Sequence, residues 1–297
     1  MTQVIAVANN KGGVAKTTTA GNLAYGLSQK LMQDGEPTGR VLVVDLDTQG
    51  NQADFFGVRD RIYHEQANPD GACLSNLLND PSCATSEFII STDRTDEGYP
   101  RPNLFLVPAT RELGFSVENI AAIDSVNAYQ ASISRGRKRL TVQRQLDSVL
   151  SSRFGRIAHN FDFIIIDCPP NLDALKAAVY NFADEVIVPV KTDRLSAIGA
   201  EQHTNDIINI IREKGIDIKI SFIVPTMMRT RQILAEDTLK MLQKRYGDQR
   251  VSQPIPESVH VKEGPAAGGI SLFEYAPSSK PALAYMDLVN KVFERSA

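Results

Sequence analysis

Long apolar runs are missing from this chain of 297 residues, and no stretch approaches the length that a membrane-spanning helix needs. No charged segment with an apolar run behind it follows Met1, so the sequence predicts neither a secretory leader nor a membrane anchor. Cysteine is scarce. Its three copies form no even disulfide framework, and Cys73 and Cys83 stand too far apart for a Cys-x-x-Cys metal pair, which points to a reducing, cytoplasmic setting. Basic charge is not in surplus either: 32 Lys and Arg against 35 Asp and Glu give a net charge of −3, so any grip on nucleic acid has to come from local clusters. Internal repeats and low-complexity tracts are absent. What is present, 42% hydrophobic residues in a chain of this length, suffices for a large core and fits one domain over residues 1–297.

Strand-like runs at 4–8, 41–45, 104–108, 163–167, 186–190, 219–224 and 251–255 alternate with helical stretches. That rhythm predicts an α/β fold with a doubly wound, mostly parallel sheet flanked by helices. The segment from Gly57 to Asn103 breaks the rhythm with Asp, Asn, Pro and Ser, and reads as a short helix near Leu74–Leu78 within a surface excursion.

The first run leads into Asn10-Lys11-Gly12-Gly13-Val14-Ala15-Lys16-Thr17-Thr18-Thr19. In a strand–loop–helix arrangement the N–H groups of Gly12 to Thr17 point into one concavity, and the following helix adds the positive end of its dipole. Such a loop cradles polyphosphate. Lys16 then reaches the β- and γ-phosphates, and the Thr17 hydroxyl is placed to ligate the accompanying magnesium. Two further runs end in carboxylates at the same sheet edge. The run 41–45 leads to Asp45 and Asp47, whose alternation predicts that both face the crevice, and 163–167 ends in Asp167 ahead of Pro169-Pro170, which forbid helix directly after it.

The general phosphate-loop spacing is not met literally, because Asn10 and Ala15 occupy its two glycine positions. The segment instead matches the deviant form Lys-Gly-Gly-x-x-Lys-Thr and resembles the ParA/MinD family of deviant-Walker P-loop ATPases, closest to ParA-type members without an N-terminal helix-turn-helix extension. The resemblance spans nearly the whole chain. It implies ATP and Mg2+ as cofactors, with Lys11, Gly12, Gly13, Val14, Ala15, Lys16, Thr17 and Thr18 around the phosphates. It also implies that Lys11 crosses a dimer interface to the partner's nucleotide, that Asp47 orients the attacking water, and that Asp45 supports the magnesium shell or the loop. Asp167 becomes the Walker B carboxylate, holding magnesium with Thr17, and Cys168 beside it a small packed residue. Pro225, Thr226, Met227 and Pro256 become candidates for the adenine side. Thr48, where the family usually has proline, is a departure from the pattern.

The family implies a weak, partner-stimulated ATP hydrolase that forms an ATP-dependent homodimer, binds DNA without sequence preference and works with a ParB-like activator at the nucleoid. The alternative is a MinD-like, membrane-associated positioning ATPase. Its basic amphipathic tail is not matched by the last helix, which carries Asp287 and Glu294 and reads as a docking helix. For DNA, the loop arginines Arg229 and Arg231 come from the resemblance. Arg212 and the helical set Lys240, Lys244 and Arg245 come from charge pattern. The dense run Arg135-Gly136-Arg137-Lys138-Arg139 reads as a second DNA contact or an activator-facing surface. An iron-protein-type reductase would need two cluster-bridging cysteines per chain, which Cys73, Cys83 and Cys168 do not supply, and a non-enzymatic nucleotide scaffold leaves the Lys16, Thr17, Asp47 and Asp167 set without a purpose.

Overall fold

The computed structural model describes residues 1–63, 71–80, 82–134, 144–172, 174–229 and 232–296. Strands that are apolar end to end pack as the buried interior of a parallel sheet, because helices must then cover both faces. The central strands follow this rule in a sheet of seven: β1 (Gln3–Val7), β2 (Val41–Asp45), β3 (Ile90–Ser91), β4 (Leu104–Val107), β5 (Phe163–Asp167), β6 (Glu185–Lys191) and β7 (Lys219–Thr226). Their spatial order is β3-β4-β2-β5-β1-β6-β7, and only the short β3 runs antiparallel to its neighbour. Each central strand divides its side chains by alternation: Ile5 and Val7 enter one core layer, while Val4, Ala6 and Ala8 enter the other.

The first layer lies under α1 (Lys16–Lys30), α2 (Asn51–Phe56), α10 (Leu272–Tyr275) and α11 (Lys280–Ser296). On the opposite face lie α3 (Leu74–Asn79), α4 (Leu113–Ser134), α5 (Gln145–Phe154), α6 (Lys176–Phe182), α7 (Arg194–Lys214) and α8 (Ile233–Tyr246), with α9 (His260–Ala266) at the periphery. The final helix buries Ala282, Tyr285, Leu288, Val289 and Val292, and Val289 lies so close over Gly26 of α1 that a Cβ there would overlap it. That is a docked helix whose apolar stripe is spent on the core. No helix among the described residues is long and apolar enough to cross a membrane.

Two expectations change. The run 251–255 is not a strand, since Val251 and Pro256 make only isolated bridges to Ile223 and Met228. Pro254 and Pro256 lack the N–H a ladder requires, so the segment follows β7 through Ser252, Ile255 and Glu257 as an irregular edge. The excursion at 57–103 is also less superficial than its composition implied: Leu74, Leu77, Leu78 and Phe88 join the core, and Arg101 is wholly buried.

Candidate nucleotide site

The loop between β1 and α1 is shaped by three fixed points. Asn9, buried below it, donates Nδ2 to the Pro189 carbonyl at 2.8 Å and accepts the Lys11 N–H at 3.0 Å. Thr226, at the end of β7, donates its hydroxyl to the Val14 carbonyl at 3.1 Å. Ala15 takes a left-handed conformation, φ 69°, at the point where the general motif has glycine. The turn therefore keeps its shape without that glycine, at a cost of about 1–2 kcal/mol. Among the described residues the N–H groups of Gly12, Gly13, Val14 and Ala15 donate to no protein acceptor, and a Cβ on Gly12 or Gly13 would meet nothing within 4 Å. An open concavity of unused donors at a helix N-terminus is an anion site.

Lys16 is almost wholly buried, with Nζ 3.0 Å from the Lys11 carbonyl oxygen. Burial lowers its pKa, and the nearby carboxylates, Asp167 first, pull the other way. Lys11 points outward. Its ammonium group donates to Ser196 Oγ at 2.8 Å and pairs with Asp193 at 3.5 Å, and its side chain keeps 37% exposure.

Asp167 lies at the tip of β5, in register with Val7 on one side and Asp45 on the other. Burial raises its carboxyl pKa to about 6, against hydrogen bonds from Gln52 and Thr17 that favour the charged form. Its Oδ2 accepts from Gln52 Nε2 at 2.9 Å, whereas Oδ1 is buried with no partner among the described residues. A buried, unpartnered carboxylate oxygen beside the Thr17 hydroxyl is a donor set for a hard divalent cation, and fits magnesium. Both oxygens of Asp45 accept backbone N–H groups, from Asp47 at 2.9 Å and Gln52 at 3.1 Å, so it ties down the loop after β2. Burial and then Asp167 push its pKa well up. Because β2 ends at Asp45, this turn, not strand alternation, directs the half-buried Asp47 towards the site.

The base-side candidates separate. Pro225 and Thr226 are buried in β7, and the Thr226 hydroxyl is committed to Val14. Met227 adopts φ 53°, turning the chain. Beyond it a cavity of about 440 Å³ is lined by Met228, Arg229, Pro256, Glu257, His260 and Lys280 among others, so Pro256 is the candidate that faces it. Of the DNA candidates, Lys240, Lys244 and Arg245 share the exposed face of α8. Arg245 is paired with Glu201 at 3.4 Å, Arg229 with Glu257, and Arg212 lies near the far end of α7, about 10 Å of helix beyond Asn205, which Arg245 touches. One chain therefore offers an α8 cluster and not a continuous stripe. Arg231 and the run 135–139 lie outside the described residues.

Sequence reasoning passed over Gln52, which joins Asp167 to the Thr17 carbonyl, and over Asp193 and Ser196, which hold Lys11. The Asp-x-x-Ser spacing that caps α7 was the available signal for the latter pair. It also passed over His203. This imidazole is fully buried, neither ring nitrogen has a hydrogen-bond partner among the described residues, and burial followed by Lys176 and Lys16 lowers its pKa to about 4. The unfolded chain takes up that proton near pH 6.5, so stability is whole above 6.5 and falls as pH drops towards 4. Between pH 7 and pH 5 the expected loss from this group is about 2 kcal/mol. Urea melts of His203→Leu should lack this increment, and an equal acid loss in both proteins would remove His203 as its source.

The profile of the AAA domain family matches residues 2–220. Sporulation initiation inhibitor protein Soj of Bacillus subtilis is 29% identical over 293 residues, covering 98% of each chain. Chromosome partitioning protein ParA of Myxococcus xanthus is 28% identical, covering 99% of this chain and 88% of its own. A solved complex of Cyanothece McdA with ATP superposes with a TM-score of 0.76 at 19% identity, over 99% of this chain and 96% of that one. Matched end to end by such relatives, and built around a loop with two lysines, this chain belongs to the AAA domain family and, within it, to the ParA/MinD group of P-loop ATPases.

Proposed function

We propose that the protein is a ParA-type positioning switch: two ATP-loaded copies close face to face, bind DNA without sequence preference, and separate when hydrolysis is stimulated by a ParB-like activator carried on the cargo. The observation that carries this reading is the opposite placement of two lysines on one loop. Lys16 is sunk beside Asp167, while Lys11 stands at the lip, where among the described residues its ammonium group is held by the partly exposed Asp193 and by the buried Ser196. The kinship with a chromosome partitioning protein supports the cargo role.

The N–H groups of Gly12 to Ala15 receive the phosphate oxygens, and Lys16 neutralises their charge in a site poor in water. Thr17 and Asp167 would hold magnesium, which would supply further charge neutralisation on the phosphates. Asp47 orients the water that attacks the γ-phosphorus in line with the departing oxygen. Lys11 of the second copy offsets charge developing on the transferred group, the part an arginine finger plays elsewhere. With so few groups for chemistry, unstimulated turnover is slow. Lys240, Lys244 and Arg245 supply phosphate contacts, doubled by dimerisation, and place the protein on the nucleoid in the cytoplasm.

Retention on immobilised DNA with ATP, ADP or no nucleotide, at two salt concentrations, tests the switch. The expected result is retention with ATP alone, falling as salt rises. Equal retention with ADP would end this reading.

A further inference from the structure

We propose that Arg101, far from the phosphates, is a positioning residue that holds α2 in place so that Gln52 meets Asp167; the inference rests on the ATPase reading of that site. A helix of six residues does not hold itself, and the residues that flank α2, Gly50 and Gly57, bring no side chain to cap it and are both left-handed at φ 63° and 69°. Contacts from elsewhere must fix it. At its first turn Gln52 spends its N–H on Asp45 and its Nε2 on Asp167 and the Thr17 carbonyl, at 3.1, 2.9 and 3.0 Å. At its last residue the Phe56 carbonyl accepts from Arg101 Nη1 at 2.8 Å. About 9 Å of helix joins the two ends.

Arg101 is itself immobile. Its side chain is wholly buried, Nε and Nη2 meet Glu274 side-on at 2.9 and 2.8 Å, and Nη2 also reaches the Gly269 carbonyl at 2.9 Å. Glu274 is fixed in turn by its capping box with Ser271. The guanidinium group also lies 5.7 Å from the Phe56 ring and 6.0 Å from that of Tyr25. A planar fork with every edge occupied transmits position; a single ammonium group in its place does not. The C-terminal part of the chain therefore sets where the loop after β2 sits relative to the metal-side carboxylate.

Two variants test this in the full chain. Arg101→Lys keeps a cation beside Glu274 and gives up the fork, and the double replacement Arg101→Met with Glu274→Leu removes both charges so that neither is left alone in the core. Both should bind ATP without magnesium within about threefold of the parent, yet lose about tenfold in kcat and need about tenfold more magnesium for half-maximal tightening of nucleotide binding, the scale expected when a group that orients a metal-holding carboxylate is disturbed. KM should hardly move. Amide exchange over residues 50–57, measured without nucleotide, should quicken about tenfold, and Gln52→Leu should reproduce the kcat and magnesium effects. Parental kcat and parental exchange in both variants would overturn the proposal, as would affinity falling in step with kcat, the mark of general unfolding. If the parent protein hydrolyses no ATP at all, the ATPase reading fails, and the exchange data alone then decide whether Arg101 holds α2.

Discussion

Replacing Lys16 by alanine should weaken ATP binding by about 10²–10³-fold, the largest single loss expected anywhere in the chain. Removing one partner from a desolvated, hydrogen-bonded charge pair costs about 2–5 kcal/mol, and Lys16 is the buried cation next to the unused donors of the loop. The same burial makes the apoprotein a useful control. Lys16 is held there against desolvation, with its pKa lowered, so the alanine variant should melt no earlier than the parent when nucleotide is absent. Titration of a fluorescent ATP analogue followed by anisotropy measures the first quantity, and thermal unfolding the second. An affinity within threefold of the parent would remove Lys16 from the phosphate site.

Lys11→Ala should behave in the opposite way, keeping ATP affinity within about threefold while abolishing stimulated hydrolysis by about 10³-fold, the lower scale of an arginine-finger loss. In the single chain its pair with Asp193 is partly exposed and worth at most about 1 kcal/mol, and the buried Ser196 hydroxyl keeps its bond to Asp193 when the lysine leaves, so leaving them costs little. A lysine tethered so lightly is available to a neighbour. Mixing sharpens the test: a dimer of Lys11→Ala with Asp47→Ala contains one site that has both an intact Asp47 and a partner's Lys11. Phosphate release should return in the mixture to a fraction of the parental rate. If neither variant alone nor the mixture releases phosphate above background, Lys11 acts within its own chain.

The features that could be read from sequence are those whose parts lie close along the chain. Lys11 to Thr18 is one contiguous segment of loop and first helical turn, and Asp167 is announced by the apolar strand before it and the prolines after it. Proline also explains the main misreading: Val251 and Ile255 flank a segment read as strand-like, but Pro254 and Pro256 cannot complete a ladder. The groups that were missed acquire meaning only through distant partners. Gln52 meets Asp167 across 115 positions, Arg101 meets Glu274 across 173, and Lys11 meets Ser196 across 185. Local spacing carries no trace of such pairs. Asp45 shows the converse, since its neighbours Asp47 and Gln52 claim it by a turn too specific for strand alternation to reveal.

The proline-bearing segment beside β7 has a counterpart across the molecule, where the sheet ends in the two residues of β3. Neither border offers a long open ladder to another polypeptide. Should these molecules line up in number along a filament or a nucleic acid track, they must meet through helices, loops or the nucleotide-bearing face, and the resulting array can come apart without any strand being peeled from its neighbour.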